Sequence, residues 1–226
     1  LGNTLGEIAA EKAGIIAPGA PALTAAQSPE ALQVLQETCA RHATKLHQAA
    51  PFTLEADSLV IQASDMSYAL PFKGPAYQAS NINTVAHALP LLREAGFSPS
   101  QTHLEQALSN WQWPGRFQTV PYMCPVILDG AHNPHALHAL IQTLDSQCDT
   151  PLHLVFSAIH TKDAGKMIEF LAQQTPNVYL CPSSVGKSLD ENALKVLAPD
   201  LATFSTPEQA FAAASEAACT DGGRVV

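Results

Sequence analysis

Ile127-Leu128-Asp129-Gly130-Ala131-His132-Asn133-Pro134-His135-Ala136 carries the chain from an apolar run, through a short polar turn, into a helix opened by Pro134. A strand that ends on a carboxylate beside a helix N-terminus marks where ligands bind in an open α/β sheet. Unpaired N–H groups at the helix start favour anions there. Asp129 can accept ribose hydroxyls or hold a metal-bound water, and His132 can reach a phosphate or acyl-phosphate oxygen. A plainer reading stands beside this one, in which Asp129 and Asn133 only cap the helix.

Downstream of this stretch, apolar strand-like runs alternate with helical patterns. Val126 to Leu128 precedes a helix from Pro134 to Leu144, and Leu152 to Phe156 precedes one from Ala164 to Gln173. The series continues with Val178 to Cys181, Glu191 to Leu197, Ala202 to Phe204, Pro207 to Cys219 and Arg224 to Val226. Such alternation with near-continuous apolar strands predicts a parallel sheet covered on both faces. Upstream, Trp113-Pro114-Gly115 breaks the pattern and makes a domain boundary. Before it the spacing predicts helices over Thr4 to Ile15, Ser28 to about His42, Asn81 to Ala95 and Ser98-Pro99 to about Asn110. Thr4 and Glu7 form a capping-box pattern, Pro21 to Ala25 reads as a short strand, and Phe52 to Phe72 reads as a meander.

Hydrophobic residues make up 46% of the 226 and charged residues 14%, which describes a globular chain with a real core. The formal charge is -9 and no Lys/Arg-rich run occurs, so nucleic acid and anionic membrane are set aside as partners. The five cysteines are scattered without a C-x-x-C pair, which favours reduced, mostly buried thiols over a disulfide framework or a zinc site. No stretch approaches the length of a membrane-spanning helix, and a cytoplasmic protein is expected. The chain opens at Leu1 and stops in Gly222-Gly223-Arg224-Val225-Val226, a turn running into a buried strand, so a fragment of a longer protein is expected.

Other polar residues carry weaker signals. His132, His135 and His138 recur every three residues, but that spacing drifts around a helix, and solvated or capping histidines are the default over a metal site. Arg116 follows the rigid Pro114-Gly115 pair and can clamp phosphate or carboxylate. Lys12 sits next to Glu11 on an amphipathic helix, as a surface lysine would. Lys162-Asp163 is either a helix-start pair or a pair facing the same cleft as Asp129.

Together these segments resemble the folylpolyglutamate synthase/dihydrofolate synthase family of the ATP-dependent Mur ligases. The resemblance is carried in order by Leu1-Gly2, Glu11-Lys12-Ala13-Gly14-Ile15, Gln78 with Asn81, Pro114-Gly115-Arg116-Phe117, Asp129-Gly130-Ala131-His132-Asn133-Pro134 and Lys162-Asp163. It implies the C-terminal part of a P-loop ATPase-like domain over residues 1–113 and a Rossmann-like glutamate-ligase domain over 114–226, with the active site between them. The implied reaction joins L-glutamate to a folate-type carboxylate, dihydropteroate or a tetrahydrofolate, using ATP and Mg²⁺ and passing through an acyl phosphate. A monomer is expected. The resemblance makes Lys12 a carbamylated lysine that binds a second Mg²⁺, Asn81 and Arg116 nucleotide contacts, and Asp129 the contact from the C-terminal domain. His132 would lie near the terminal phosphate and the incoming glutamate, and Lys162 would face the same site. The family's G-x-x-G-K-[ST] loop is absent and would precede Leu1, and a Thr-Gly-Ser-like segment would follow Val226. Tyr77 stands where a histidine is usual, and Thr161 where an aspartate often precedes Lys-Asp. A related ligase acting on cell-wall precursors and a non-catalytic Rossmann-type binding module are the competing readings.

Overall fold

Thr4 Oγ1 accepts the N–H of Glu7 while the Glu7 carboxylate takes the N–H of Thr4, and this reciprocal box opens α1 (Leu5–Ala13). The computed structural model describes residues 2, 4–55, 58–64, 66–72, 74–109, 113–147, 149–161, 163–184 and 186–226. They fall into two units, residues 1–111 and 112–226.

In the first unit β1 (Ala22–Thr24) leads into α2 (Pro29–Arg41), capped by Ser28 with Pro29 in its first turn, and then into β2 (Leu46–Gln48). β1 and β2 pair in parallel, so the three elements form a crossover unit, and α1 packs on α2. The expected meander is present as β3 (Phe52–Glu55), β4 (Ser58–Ala63) and β5 (Met66–Pro71), paired antiparallel in that order. Leu59, Ile61 and Ala63 alternate on the buried face of β4 and meet Tyr68 and Leu70 of β5. That face is covered by Ala79, Ile82, Ala86 and Leu89, which share one stripe of α3 (Ala76–Glu94), and by Leu104 of α4 (Gln101–Ser109).

Two sequence readings need correction here. The helix expected from Asn81 starts at Ala76, because its N-cap is Pro75, which offers no side-chain acceptor and so no start signal. Residue 81 therefore lies in the second turn instead of at the helix entry. β2 was not anticipated, since Leu46-His47-Gln48 has neither alternation nor an apolar run.

The second unit is a six-stranded sheet in the order β10-β9-β8-β11-β7-β6. Its elements in chain order are β6 (Gln118–Val120), β7 (Val126–Leu128), α5 (Pro134–Gln147), β8 (Leu152–Phe156), α6 (Ala164–Gln174), β9 (Val178–Leu180), α7 (Glu191–Leu197), β10 (Ala202–Thr203), α8 (Pro207–Asp221) and β11 (Arg224–Val225). All pairings are parallel except β6 with β7. Alternate residues of each strand serve opposite faces. Leu154, Val178 and Leu180 pack against α5, α6 and α7, whereas Val155, Tyr179 and Val225 pack against Ala214 and Ala218 of α8. The sheet is thus an α/β layer covered on both sides, as the alternation of elements predicts. β6 is an addition, half-exposed and polar, and so without an apolar signal.

At the amino ends of the parallel strands the polar groups close on one another. His153, 1% exposed, meets the Asp221 carboxylate at 3.0 Å through Nε2 and the Tyr179 hydroxyl at 3.2 Å through Nδ1. Burial, with Asp221 beside it, pushes the Tyr179 hydroxyl's pKa up. Gly223 passes through this corner so closely that a Cβ there would lie 2.7 Å from the Pro151 carbonyl and 2.9 Å from His153. Gly223→Ala should therefore destabilise the chain by about 1–3 kcal/mol, read as a lower urea midpoint at unchanged m-value. An unshifted midpoint would show that the corner yields without cost.

Candidate functional site

The antiparallel pairing of β6 with β7 sets Gln118 opposite Leu128. The turn that enters β6 and the turn that leaves β7 therefore emerge side by side at the carboxyl end of β7, although they are distant in sequence. Asp129 is half-buried between them, and both of its oxygens are engaged. Oδ2 accepts the N–H of Phe117 at 2.8 Å and Oδ1 accepts the N–H of Ala131 at 2.9 Å. The carboxylate is thereby oriented by two main-chain donors, one from each turn.

Helix capping belongs to a neighbour. Asn133 Oδ1 accepts the N–H of Ala136 at 2.9 Å, and its carbonyl takes the N–H of Leu137, so α5 begins on Asn133 with Pro134 in its first turn. The plain reading in which Asp129 also caps the helix is not needed to account for its contacts. Asp163 is the N-cap of α6, without a side-chain cap bond, which makes it a helix-start residue. Lys162 lies outside the described residues.

Arg116 is exposed and lies between two residues with positive φ, Gly115 at 68° and Phe117 at 52°. A Cβ on Gly130 would sit 3.7 Å from the Arg116 Nη1 and 3.3 Å from the Gly115 carbonyl, so the guanidinium rests over the bare Cα of Gly130. His132 is exposed and its Nδ1 lies 2.8 Å from the Gly130 carbonyl. A carbonyl can only accept, so the proton is on Nδ1 and a neutral ring presents a lone pair at Nε2. Arg116, Asp129 and His132 thus share one surface made by two turns. His138 lies farther along α5 and meets Phe170 with ring centres 3.9 Å apart and ring planes tilted by 42°.

The first unit carries the other two sequence candidates. Lys12 is exposed in the last turn of α1, and Asn81 is exposed on α3, on the side away from the stripe that covers the meander. Among the described residues no three His, Cys, Asp or Glu side chains converge as a metal site would need. Cys181 follows β9 at the same end of its sheet as Asp129, but burial, with Glu208 nearby, pushes its thiol up to about 11, so it is no nucleophile near neutrality. An open groove of about 960 Å³ also runs between α6 and α7, bordered by His160, Thr161, Lys166, Asp190 and Asn192.

Residue-type reasoning overlooked Gln118. Its side-chain Oε1 accepts the N–H of Gly115 at 3.0 Å and closes the turn that carries Arg116. The spacing from Gly115 to Gln118 is the only trace of this in the sequence, and it is a common one.

Comparison with known proteins gives a consistent answer. Residues 115–226 match the family model described as Mur ligase, glutamate ligase domain. The dihydrofolate synthase/folylpolyglutamate synthase of Bacillus subtilis is 34% identical over 189 residues, covering 76% of this chain and 43% of that protein. The probable bifunctional folylpolyglutamate synthase/dihydropteroate synthase of Haloferax volcanii is 32% identical over 213 residues, covering 86% of this chain and 24% of the relative. The chain therefore spans less than half the length of these curated relatives. The crystal structure of the bifunctional folylpolyglutamate synthase/dihydrofolate synthase from Yersinia pestis, complexed with AMPPNP and Mn ion, superposes with a TM-score of 0.83 at 26% identity, covering 100% of this chain and 54% of the other.

Proposed function

Because the chain belongs to the folylpolyglutamate synthase/dihydrofolate synthase family of Mur ligases, we propose that it is part of an enzyme that ligates L-glutamate to a folate-type carboxylate at the expense of ATP. The observation that carries this is the paired turn at the carboxyl end of β7, where the turns bearing Arg116 and Asp129 lie side by side next to the start of α5. Residues 1–113 are the C-terminal part of the ATPase domain and 114–226 the glutamate-ligase domain. Arg116 and Asn81 contact the nucleotide. Asp129, oriented by two main-chain N–H donors, contacts it from the C-terminal domain.

The acceptor carboxylate takes the γ-phosphoryl of ATP, giving an acyl phosphate and ADP. The amine of glutamate then attacks the carbonyl carbon, an amide forms and phosphate leaves. A carboxylate oxygen is a poor leaving group at neutral pH, which is why the phosphoryl is needed. Arg116 spreads the charge on the transferring group. His132, its Nδ1 proton held by the Gly130 carbonyl, offers Nε2 to take the proton that the glutamate ammonium must lose.

The Mg²⁺ proposed here is of the kind that keeps its waters and rests mainly on nucleotide phosphates. Without a converging cluster among the described residues, this chain would add one ligand, the oxygen of a Lys12 carbamate. Bound there, Mg²⁺ would neutralise phosphate charge. No helix of the described residues is long and apolar enough to cross a membrane, and a cytoplasmic monomer is the proposed state.

Glutamate-dependent ADP release by the full-length protein, with dihydropteroate and tetrahydrofolate offered separately, tests the reading. Release with either acceptor is the expected result and identifies which activity is present. A folded, ATP-binding protein that releases ADP with neither would overturn the folate assignment in favour of a cell-wall precursor or a non-catalytic role.

A further inference from the structure

We infer that Gln118 is a positioning residue for Arg116, acting with Gly130 to set where the guanidinium points. The inference rests on the nucleotide role proposed for Arg116. It begins from an unusual backbone. The residues on either side of Arg116 both occupy the left-handed region, and one of them is phenylalanine. Gly115 adopts φ 68° without cost, whereas a phenylalanine at 52° is held there only if its surroundings compel it.

Three consecutive main-chain donors show what compels it. The N–H of Gly115 goes to Gln118 Oε1 at 3.0 Å, that of Arg116 to the Trp113 carbonyl at 3.2 Å, and that of Phe117 to Asp129 Oδ2 at 2.8 Å. The Phe117 ring packs against the core beneath the sheet, which fixes the turn from below. The N–H groups of Gly115 and Phe117, on either side of Arg116, are thus each held by a side chain, and the N–H of Arg116 itself by the Trp113 carbonyl. Asp129 holds one and Gln118 the other.

Gln118 is well placed for this because it opens β6 directly opposite Leu128, at the point where β7 gives way to Asp129. Gly130 completes the arrangement from the other turn. With no Cβ there, the Gly115 carbonyl and the Arg116 guanidinium settle over it, at 3.3 and 3.7 Å from where a methyl group would stand. Removing the Gln118 acceptor leaves the Trp113 carbonyl as the one remaining main-chain partner ahead of Arg116, so the turn loosens at Gly115 and the direction of the Arg116 side chain shifts with it.

A double-mutant cycle in the full-length protein, read as the Kd for ATP by calorimetry, separates positioning from bracing. Q118L keeps the bulk and loses the acceptor, and should weaken ATP binding about fivefold to tenfold, the worth of one hydrogen bond. Q118E keeps an oxygen at the same place and should bind as the parent does. In an R116A background Q118L should change nothing further, because there is no guanidinium left to aim. Equal loss in both backgrounds would overturn the inference and leave Gln118 a strand brace. So would an inert Q118L beside a damaging R116A. An inert R116A would instead remove the nucleotide role of Arg116, and the inference with it. Melting temperatures measured alongside confirm that each variant is folded.

Discussion

Asp129→Ala in the full-length protein should lower kcat/KM for ATP by about 100-fold or more. Each oxygen of this carboxylate accepts a main-chain N–H, one from Phe117 and one from Ala131. A charge-assisted bond of this kind contributes about 1.5–3 kcal/mol, and two orders of magnitude in rate require about 2.7 kcal/mol. Alanine removes the proposed nucleotide contact and both main-chain braces at once, so the Arg116 turn loosens as well. The loss of fold should be smaller, about 1–2 kcal/mol, since the turns are half-exposed and water can satisfy the orphaned donors. Asp129→Asn is the informative companion. Its one carbonyl oxygen can hold one N–H while its amide opposes the other, so an intermediate activity is expected. Unchanged ATP kinetics in Asp129→Ala would leave Asp129 a turn brace with no ligand of its own.

Lys12→Ala should abolish turnover, by at least about 100-fold, with the fold intact. The side chain is exposed in the last turn of α1, and alanine is the best helix former, so nothing structural is lost. What disappears is the amine proposed to attack CO₂ and give a carbamate, an N–C bond forming and a proton leaving. Because the carbamate is in effect a carboxylate on a lysine stem, added formate or acetate should restore part of the activity. Stripping CO₂ from the parent protein's buffer should depress its rate and bicarbonate should bring it back. Full activity in Lys12→Ala would remove the carbamate from the mechanism.

Much of this was legible from residue order. Runs such as Leu152 to Phe156 and Val178 to Leu180, buried on both sides, spell a parallel strand because neither face needs polar residues. Thr4, Ser28 and Asp190 mark helix starts because each accepts a first-turn N–H through its side chain. Pro75 marks nothing of the kind, and the start of α3 was missed. The strands left out, β2 and β6, are short, half-exposed and polar, held by main-chain pairing that side-chain type does not report. The site divides in the same way. Asp129, Arg116 and His132 declare themselves by chemistry and by place in the pattern. The bond from Phe117 that orients Asp129 joins residues twelve apart through a strand register, and a register is a property of the folded sheet.

β11 lies between β7 and β8, yet in the chain it follows both of them, with α5, α6, α7 and α8 all intervening between β7 and β11. The middle of the sheet is thus supplied by the strand that comes last in chain order among the six. Until Arg224 and Val225 arrive, β7 and β8 flank a gap, with unpaired edges on both sides of it. These six strands therefore cannot pair progressively in the order in which they are made, and β7 and β8 keep open edges until β11 has been synthesised.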